Sequence, residues 1–166
     1  MIIDLESIFN VEGLSADLDY EIDMSGEELD GAFPFKSPVR VKGRVANTTG
    51  IVEINAEASY ELTMPCSRCA KETVHKMKTE ICHTLVRQVE NENNGDFLTV
   101  TDLRYDLDPL VREDILLSMP YKFLCSDDCK GLCPMCGRNL NEGKCSCTPA
   151  ADPRLDALRQ LLDNNE

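Results

Sequence analysis

Cys125-Ser-Asp-Asp-Cys129, Cys133-Pro-Met-Cys136-Gly137 and Cys145-Ser-Cys147 put six of the chain's nine cysteines within 23 residues. Two more stand well upstream as Cys66-Ser-Arg-Cys69. Two cysteines separated by two residues on a tight turn aim both sulfurs at one point with little strain. Two such pairs from different segments complete a tetrahedron of thiolates around zinc, with Zn–S distances of about 2.3 Å. Pro134 stiffens one of these turns, and Gly137 permits the backbone conformation that follows it.

Disulfides are the competing use of clustered cysteines, and the compartment decides between the two. No apolar run approaches the roughly 18 residues that span a membrane, and Met1-Ile2-Ile3-Asp4 lacks a basic region before an apolar core. The chain is therefore expected in the cytoplasm, where a reducing milieu disfavours disulfides and favours metal ligation.

Nine cysteines make two sets of four with one left over. Cys82, between Ile81 and His83 in an apolar run, is the natural remainder and is expected to be a small buried hydrophobe. The Cys133/Cys136 turn closes most readily with Cys145 and Cys147, which leaves Cys125 and Cys129 to join Cys66 and Cys69. The rival is one compact site from Cys125, Cys129, Cys133 and Cys136. The expected cofactor is thus structural Zn²⁺, one ion or two. A catalytic zinc keeps an open position and usually carries histidine or carboxylate; an all-thiolate set reads as a closed brace.

The remaining chain predicts an α+β fold: an antiparallel meander with one or two helices, followed by the cysteine-rich zinc segment. Residues 1–35, with an acidic run from Asp17 to Asp30, read as an irregular strap with one or two edge strands. Val39, Val41, Gly43 and Val45 alternate with Arg40, Lys42 and Arg44, the period of a half-buried strand. After the turn Asn47-Thr48-Thr49-Gly50, every second residue from Val52 to Met64 is apolar, and the run enters Pro65-Cys66. Residues 72–89 fit a helix or a strand; strand is preferred, because a hairpin would then carry the Cys66–Cys69 turn at its tip. Residues 90–95 read as a loop and Phe97 to Val100 as a short strand. Asp108-Pro109 opens a helix that Pro120 ends, and Asp152-Pro153 opens another with Leu155, Leu158, Leu161 and Leu162 as its stripe. The expected division is 1–120, a mainly β domain ending in a helix, and 121–166, the zinc segment with its helix.

Net charge is −13, and each four-thiolate zinc site adds two more negative charges. Non-specific affinity for nucleic acid comes from Lys and Arg displacing counterions, so broad phosphate binding is excluded. Without Trp, and with only nine Phe and Tyr, an aromatic platform for bases is excluded too. The local exception is Arg40, Lys42 and Arg44 on one strand face, the candidate contact for RNA or an acidic partner. Cys66-x-x-Cys69 is also an oxidoreductase spacing. Such motifs, however, open a helix in a βαβ setting that lowers the thiol pKa, and this one ends a long strand. No phosphate loop, paired acid and base, or nucleophile constellation marks an enzyme or a small-molecule substrate site.

Residues 125–155 run Cys-Ser-Asp-Asp-Cys-Lys-Gly-Leu-Cys-Pro-Met-Cys-Gly-Arg-Asn-Leu-Asn-Glu-Gly-Lys-Cys-Ser-Cys, then Asp-Pro-Arg-Leu. They resemble the family of large ribosomal RNA subunit accumulation proteins, the YceD-like family of bacteria and plastids. Cys66-Ser-Arg-Cys69 after a long alternating strand and the helix ending at Pro120 are similar to the same family in the same order. The resemblance covers about 38–160. It implies a cytoplasmic, non-enzymatic factor supporting 23S rRNA accumulation and large-subunit biogenesis, and it leaves direct rRNA contact open. The acidic charge points to a basic large-subunit ribosomal protein or an assembly particle as partner. A zinc-braced adaptor unrelated to ribosomes and a thiol oxidoreductase are the competing readings. Cosedimentation with 50S precursors separates the first, and thiol titration with and without chelator the second.

Overall fold

The computed structural model describes residues 1–29, 31–87 and 97–147. The expected loop at 90–95, and the expected helix after Asp152-Pro153 with its packing on the cysteine segment, lie outside the described residues.

The architecture is α+β. A five-stranded sheet runs in the order β2 (Ser15–Ile22), β3 (Val39–Thr48), β4 (Ile51–Pro65), β5 (Glu72–Val86), β6 (Phe97–Thr99). The first four strands form the expected antiparallel meander. The three-residue β6 adds in parallel to the end of β5, pairing Thr84 to Val86 with Phe97 to Thr99. Alternation in β4 is what makes the sheet one-sided: Val52, Ile54, Ala58, Tyr60, Leu62 and Met64 are buried, while Glu53, Asn55 and Glu61 face water. Residues 72–86 are strand along their whole length, because Glu72 to Leu85 each find a partner in β4 and Val86 finds one in β6.

Residues 1–35 are more than the irregular strap their low hydrophobicity suggests. They form β1 (Ile2–Asp4), α1 (Glu6–Asn10) and the eight-residue edge strand β2, and β1 pairs with β7 (Arg104–Asp106) in a separate two-stranded sheet. Ile3, Leu5, Ile8, Leu18, Ile22, Met24 and Phe35 all enter the main core. Short apolar pieces separated by acidic residues conceal this, since each piece contributes only one or two core side chains.

The helix α2 (Asp108–Leu117) buries Leu110, Val111 and Ile115 against the sheet. Its start differs in detail from the sequence expectation. Leu107 occupies the cap position without a side-chain cap bond, and the Asp106 carboxylate instead accepts from the Asp108 amide at 3.2 Å. No helix among the described residues is long and apolar enough to cross a membrane.

Gly43 is the one position in the sheet where a side chain is sterically forbidden. A Cβ there would lie 2.3 Å from the Asn55 carbonyl oxygen and 2.4 Å from the Ala56 Cα and Cβ. Gly43 pairs with Ala56, and this small pair lets β3 and β4 close on each other. Because the colliding atoms are mostly backbone, Gly43→Ala is expected to destabilise the protein by about 1–3 kcal/mol, the usual cost of overpacking. Denaturant unfolding followed by far-UV circular dichroism measures it.

Candidate metal centre

Both Cys-x-x-Cys turns adopt the same backbone geometry. In the first, which joins β4 to β5, the Cys66 amide donates to the Lys71 carbonyl and the Ala70 amide to the Cys66 carbonyl, both at 2.8 Å. In the second, the Cys133 amide donates to Arg138 at 2.8 Å and the Gly137 amide to Cys133 at 2.9 Å. The residue after the second cysteine is left-handed in each, with φ of 57° at Ala70 and 70° at Gly137. Glycine adopts this freely, whereas alanine does so at a cost of roughly 1–2 kcal/mol. At Ala70 the fourteen-pair β4–β5 ladder holds the turn in place.

Residues after α2 return to the hairpin tip through Phe123. Its carbonyl accepts from the Ser67 amide at 2.7 Å, and its amide donates to the Ser67 hydroxyl at 3.2 Å. This docking brings Cys125 and Cys129 onto Cys66 and Cys69. The sulfurs of Cys66 and Cys129 are 3.8 Å apart, and those of Cys69 and Cys125 are 3.6 Å apart. A tetrahedron with 2.3 Å arms has edges of about 3.8 Å, so the spacing fits metal ligation, and it is far too long for an S–S bond of about 2.05 Å. Cys66, Cys69 and Cys129 are buried and Cys125 is half-buried.

The second set is Cys133, Cys136, Cys145 and Cys147. Here Cys133 is buried, Cys145 half-buried, and Cys136 and Cys147 exposed. Within each set the four sulfurs lie within 4.8 Å of one another, and each set could hold a metal ion. The compact alternative from Cys125, Cys129, Cys133 and Cys136 is not the grouping the structure makes. Neither Met135 nor Leu140, the large apolar side chains between Cys133 and Cys147, is buried: Met135 is 58% exposed and Leu140 half-buried.

Without metal, the thiols share charge unevenly. Burial pushes the Cys66 thiol up, but backbone amides of Arg68, Cys125 and Cys69 together outweigh it and bring it down to about 6. The neighbouring thiols of Cys129 and Cys69, with burial, push Cys125 up to about 12. In the second set, the amides of Cys136 and Met135 lower Cys133 to about 6, while the Cys136 thiol and burial raise Cys147 to about 12.

Two polar side chains that sequence reading passes over brace the inner set, one from within it and one from the outer segment. The Arg68 guanidinium, inside the first turn, donates to the carbonyls of Cys129 at 2.9 Å and Asp127 at 3.2 Å. The Asn141 amide group donates to the Cys129 sulfur at 3.3 Å and accepts from the Lys130 amide at 2.8 Å. Gly131 makes the close approach possible. Its φ is +73°, and a Cβ would stand 3.1 Å from the Arg68 carbonyl oxygen. A glycine between two cysteine pairs is the only local signal of these contacts.

Arg40, Lys42 and Arg44 share the outer sheet face, where β2 opposes them with acids. Arg40 meets Asp19 at 3.2 Å, Lys42 meets Asp19 at 3.7 Å and Arg44 meets Asp17 at 3.1 Å. Cys82 is exposed on this face rather than buried, because the buried parity of β5 belongs to Thr79, Ile81 and Leu85. His83 bonds Asp114 of α2 at 2.7 Å, and the His75 ring lies tilted against Phe123, centroids 5.2 Å apart.

Metal affinity is expected to fall as pH falls. A thiol held near 12 is protonated at neutral pH, so loading must expel its proton. Cys125 and the raised Cys69 make this at least two protons at the inner set. Apparent zinc affinity there should drop about a hundredfold per pH unit below neutrality, read by competition with a chromophoric chelator. Cys136→Ser should unfold the outer segment and leave the sheet intact, whereas Cys66→Ser should loosen the docking of residues 123–129. Amide exchange distinguishes the two; sheet melting on the Cys136 change alone contradicts the grouping.

The family match spans both cysteine sets. The family described as large ribosomal RNA subunit accumulation protein YceD matches residues 54–162, from within β4 through both cysteine sets. A Bacillus subtilis (strain 168) protein named uncharacterized protein YlbN is 31% identical, over 78% of this chain and 77% of its own length. The maize protein named large ribosomal RNA subunit accumulation protein YCED homolog 1, chloroplastic, is 24% identical over 86% of this chain, which spans 60% of it. No solved structure gives a significant match. With the match covering most of the hairpin, α2 and the whole cysteine frame, the chain belongs to the YceD family of large ribosomal RNA subunit accumulation proteins.

Proposed function

We propose that this protein is a cytoplasmic, non-enzymatic factor that supports 23S rRNA accumulation and large-subunit biogenesis, acting mainly through protein contact. The family match over residues 54–162 carries the reading. The two four-thiol sets are assigned a structural Zn²⁺ each, ligated by Cys66, Cys69, Cys125 and Cys129 and by Cys133, Cys136, Cys145 and Cys147. The donor set supports this: four thiolates neutralise the ion and leave no position open for water. Residues 1–120 then serve as the sheet domain, and 121–166 as a segment whose fold depends on metal.

The partner is a basic large-subunit ribosomal protein or an assembly particle. Charge supports it, since −13 opposes broad phosphate contact and attracts cations. Arg40, Lys42 and Arg44 remain the candidate RNA contact, but their pairing with Asp17 and Asp19 sets acids directly beside any approaching phosphate.

Depletion of the protein should lower 23S relative to 16S rRNA and reduce 50S particles, measured by rRNA quantitation and gradient profiles. An unchanged ratio overturns the proposal. In a mobility assay at low ionic strength, where phosphate contacts are least screened, 23S fragments should bind weakly. Tight, salt-sensitive binding that disappears when Arg40, Lys42 and Arg44 are neutralised would make β3 the functional face.

A further inference from the structure

β5 has an open edge. On one side it pairs with β4 from Glu72 to Leu85; on the other, among the described residues, only β6 pairs with it, at Thr84 to Val86. Residues 72–83 therefore leave about 40 Å of strand edge without a partner strand.

The register shows which backbone groups this edge presents. The Cys66 amide bonds the Lys71 carbonyl, which makes Cys66 and Lys71 a hydrogen-bonded pair. In an antiparallel ladder every second pair is of that kind, so Ala58 with Thr79, Ala56 with Ile81 and Ile54 with His83 are too. Thr79, Ile81 and His83 spend their amides and carbonyls on β4, and Glu80 and Cys82 direct theirs outward. Val86, of the same parity, does bond outward: its carbonyl accepts from Val100 at 2.8 Å.

Beside Glu80 and Cys82 runs a groove of about 430 Å³, closed on its far side by Asp114 and Leu117 of α2 and by Ser118 just after it. Leu117 is 77% exposed, in a helix that buries Leu110, Val111 and Ile115. Ser118 and Asp114 hold the helix at this distance, through Thr79 at 2.7 Å and His83 at 2.7 Å. A strand edge facing a helix across a groove is the geometry in which extended peptides add as an extra strand.

Charge selects the occupant. Glu80 on the edge and Glu53 on the neighbouring outer face have no salt-bridge partner among the described residues. The flanking Lys78 is neutralised by Glu57 at 2.8 Å. A second copy of a chain carrying −13 is repelled. We propose that the groove between β5 and α2 is a docking site for an extended basic polypeptide segment, which pairs with the backbone of Glu80 and Cys82. Side chains of an added strand alternate faces, so Lys or Arg meets Glu80 while every other residue, apolar, covers Leu117. The proposal rests on the protein-contact function above and specifies the surface that performs it.

The test uses the full metal-loaded chain and a synthetic decapeptide of alternating Val and Lys. In the protein alone, the Glu80 and Cys82 amides should exchange quickly and Ile81 slowly. With peptide, Glu80 and Cys82 should become protected and Ile81 stay as it was. Methylating alternate peptide nitrogens on the pairing edge should weaken binding on the order of tenfold or more, because backbone hydrogen bonds are lost. Glu80→Lys, at an exposed position, should weaken it too, and Leu117→Lys gives an independent check from α2. Glu80 and Cys82 amides already protected in the free protein would overturn the inference, since the edge is then filled by residues 148–166 or by a second copy, the latter visible as a doubled mass. Equal affinity for the methylated peptide, or binding without protection of the two amides, also overturns it. If a basic large-subunit protein binds elsewhere, the groove fails and the protein-contact function stands; if nothing basic binds anywhere, both fail.

Discussion

The convergence of Cys66 and Cys69 with Cys125 and Cys129 is the interaction on which the rest depends. It ties the tip of the β4–β5 hairpin to the chain leaving α2, across sequence separations of 56 and 63 residues. Hydrophobic burial cannot replace it there. Between residues 121 and 147 the only large apolar side chain buried is Phe123; the other buried side chains are Cys129 and Cys133. Structural zinc in small peptides contributes about 10–16 kcal/mol at neutral pH, comparable to the whole stability of an ordinary domain. Each thiol set could hold a metal ion, and a segment with so little core has most to gain from one; the order of its parts follows from where the sulfurs meet.

The second thiol set is built onto the first. The Leu132 amide, next to Cys133, donates to the Arg68 carbonyl at 3.2 Å, and Asn141 reaches back from the outer segment to the Cys129 sulfur. The inner set is nearly closed to solvent, and the outer set exposes Cys136 and Cys147. The two differ in access for the same reason: one is sandwiched between hairpin and return segment, and the other has only its own short loop for cover.

The sheet organises charge as well as core. Its outer face alternates an acidic β2, a basic β3, an acidic β4 and the lysines of β5, with pairs Arg44–Asp17, Arg40–Asp19, Lys78–Glu57 and Lys76–Glu61 between neighbours. Such exposed pairs contribute about 0–1 kcal/mol each. Their larger consequence is that each of these basic side chains has an acid beside it.

The sequence by itself determined the elements whose signal is local. Alternation from Val52 to Met64 specifies a one-sided strand, because side chains in a strand must alternate faces. The Cys-x-x-Cys spacing specifies metal-type turns, because two intervening residues let both sulfurs point one way. The partition into two thiol sets was legible as well, since Cys133, Cys136, Cys145 and Cys147 can meet within one short loop. What depends on distant parts of the chain was decided only by the tertiary structure. Ile3, Leu5 and Ile8 become core only when β1 pairs with β7 a hundred residues later. Arg40, Lys42 and Arg44 read as a free basic stripe until β2 folds beside them with Asp17 and Asp19. Cys82 is exposed because pairing with Asn55 fixes the parity of β5, and a one-residue shift of register would have buried it. Periodicity states which residues share a face; which neighbour covers that face is set by contacts that no local pattern encodes.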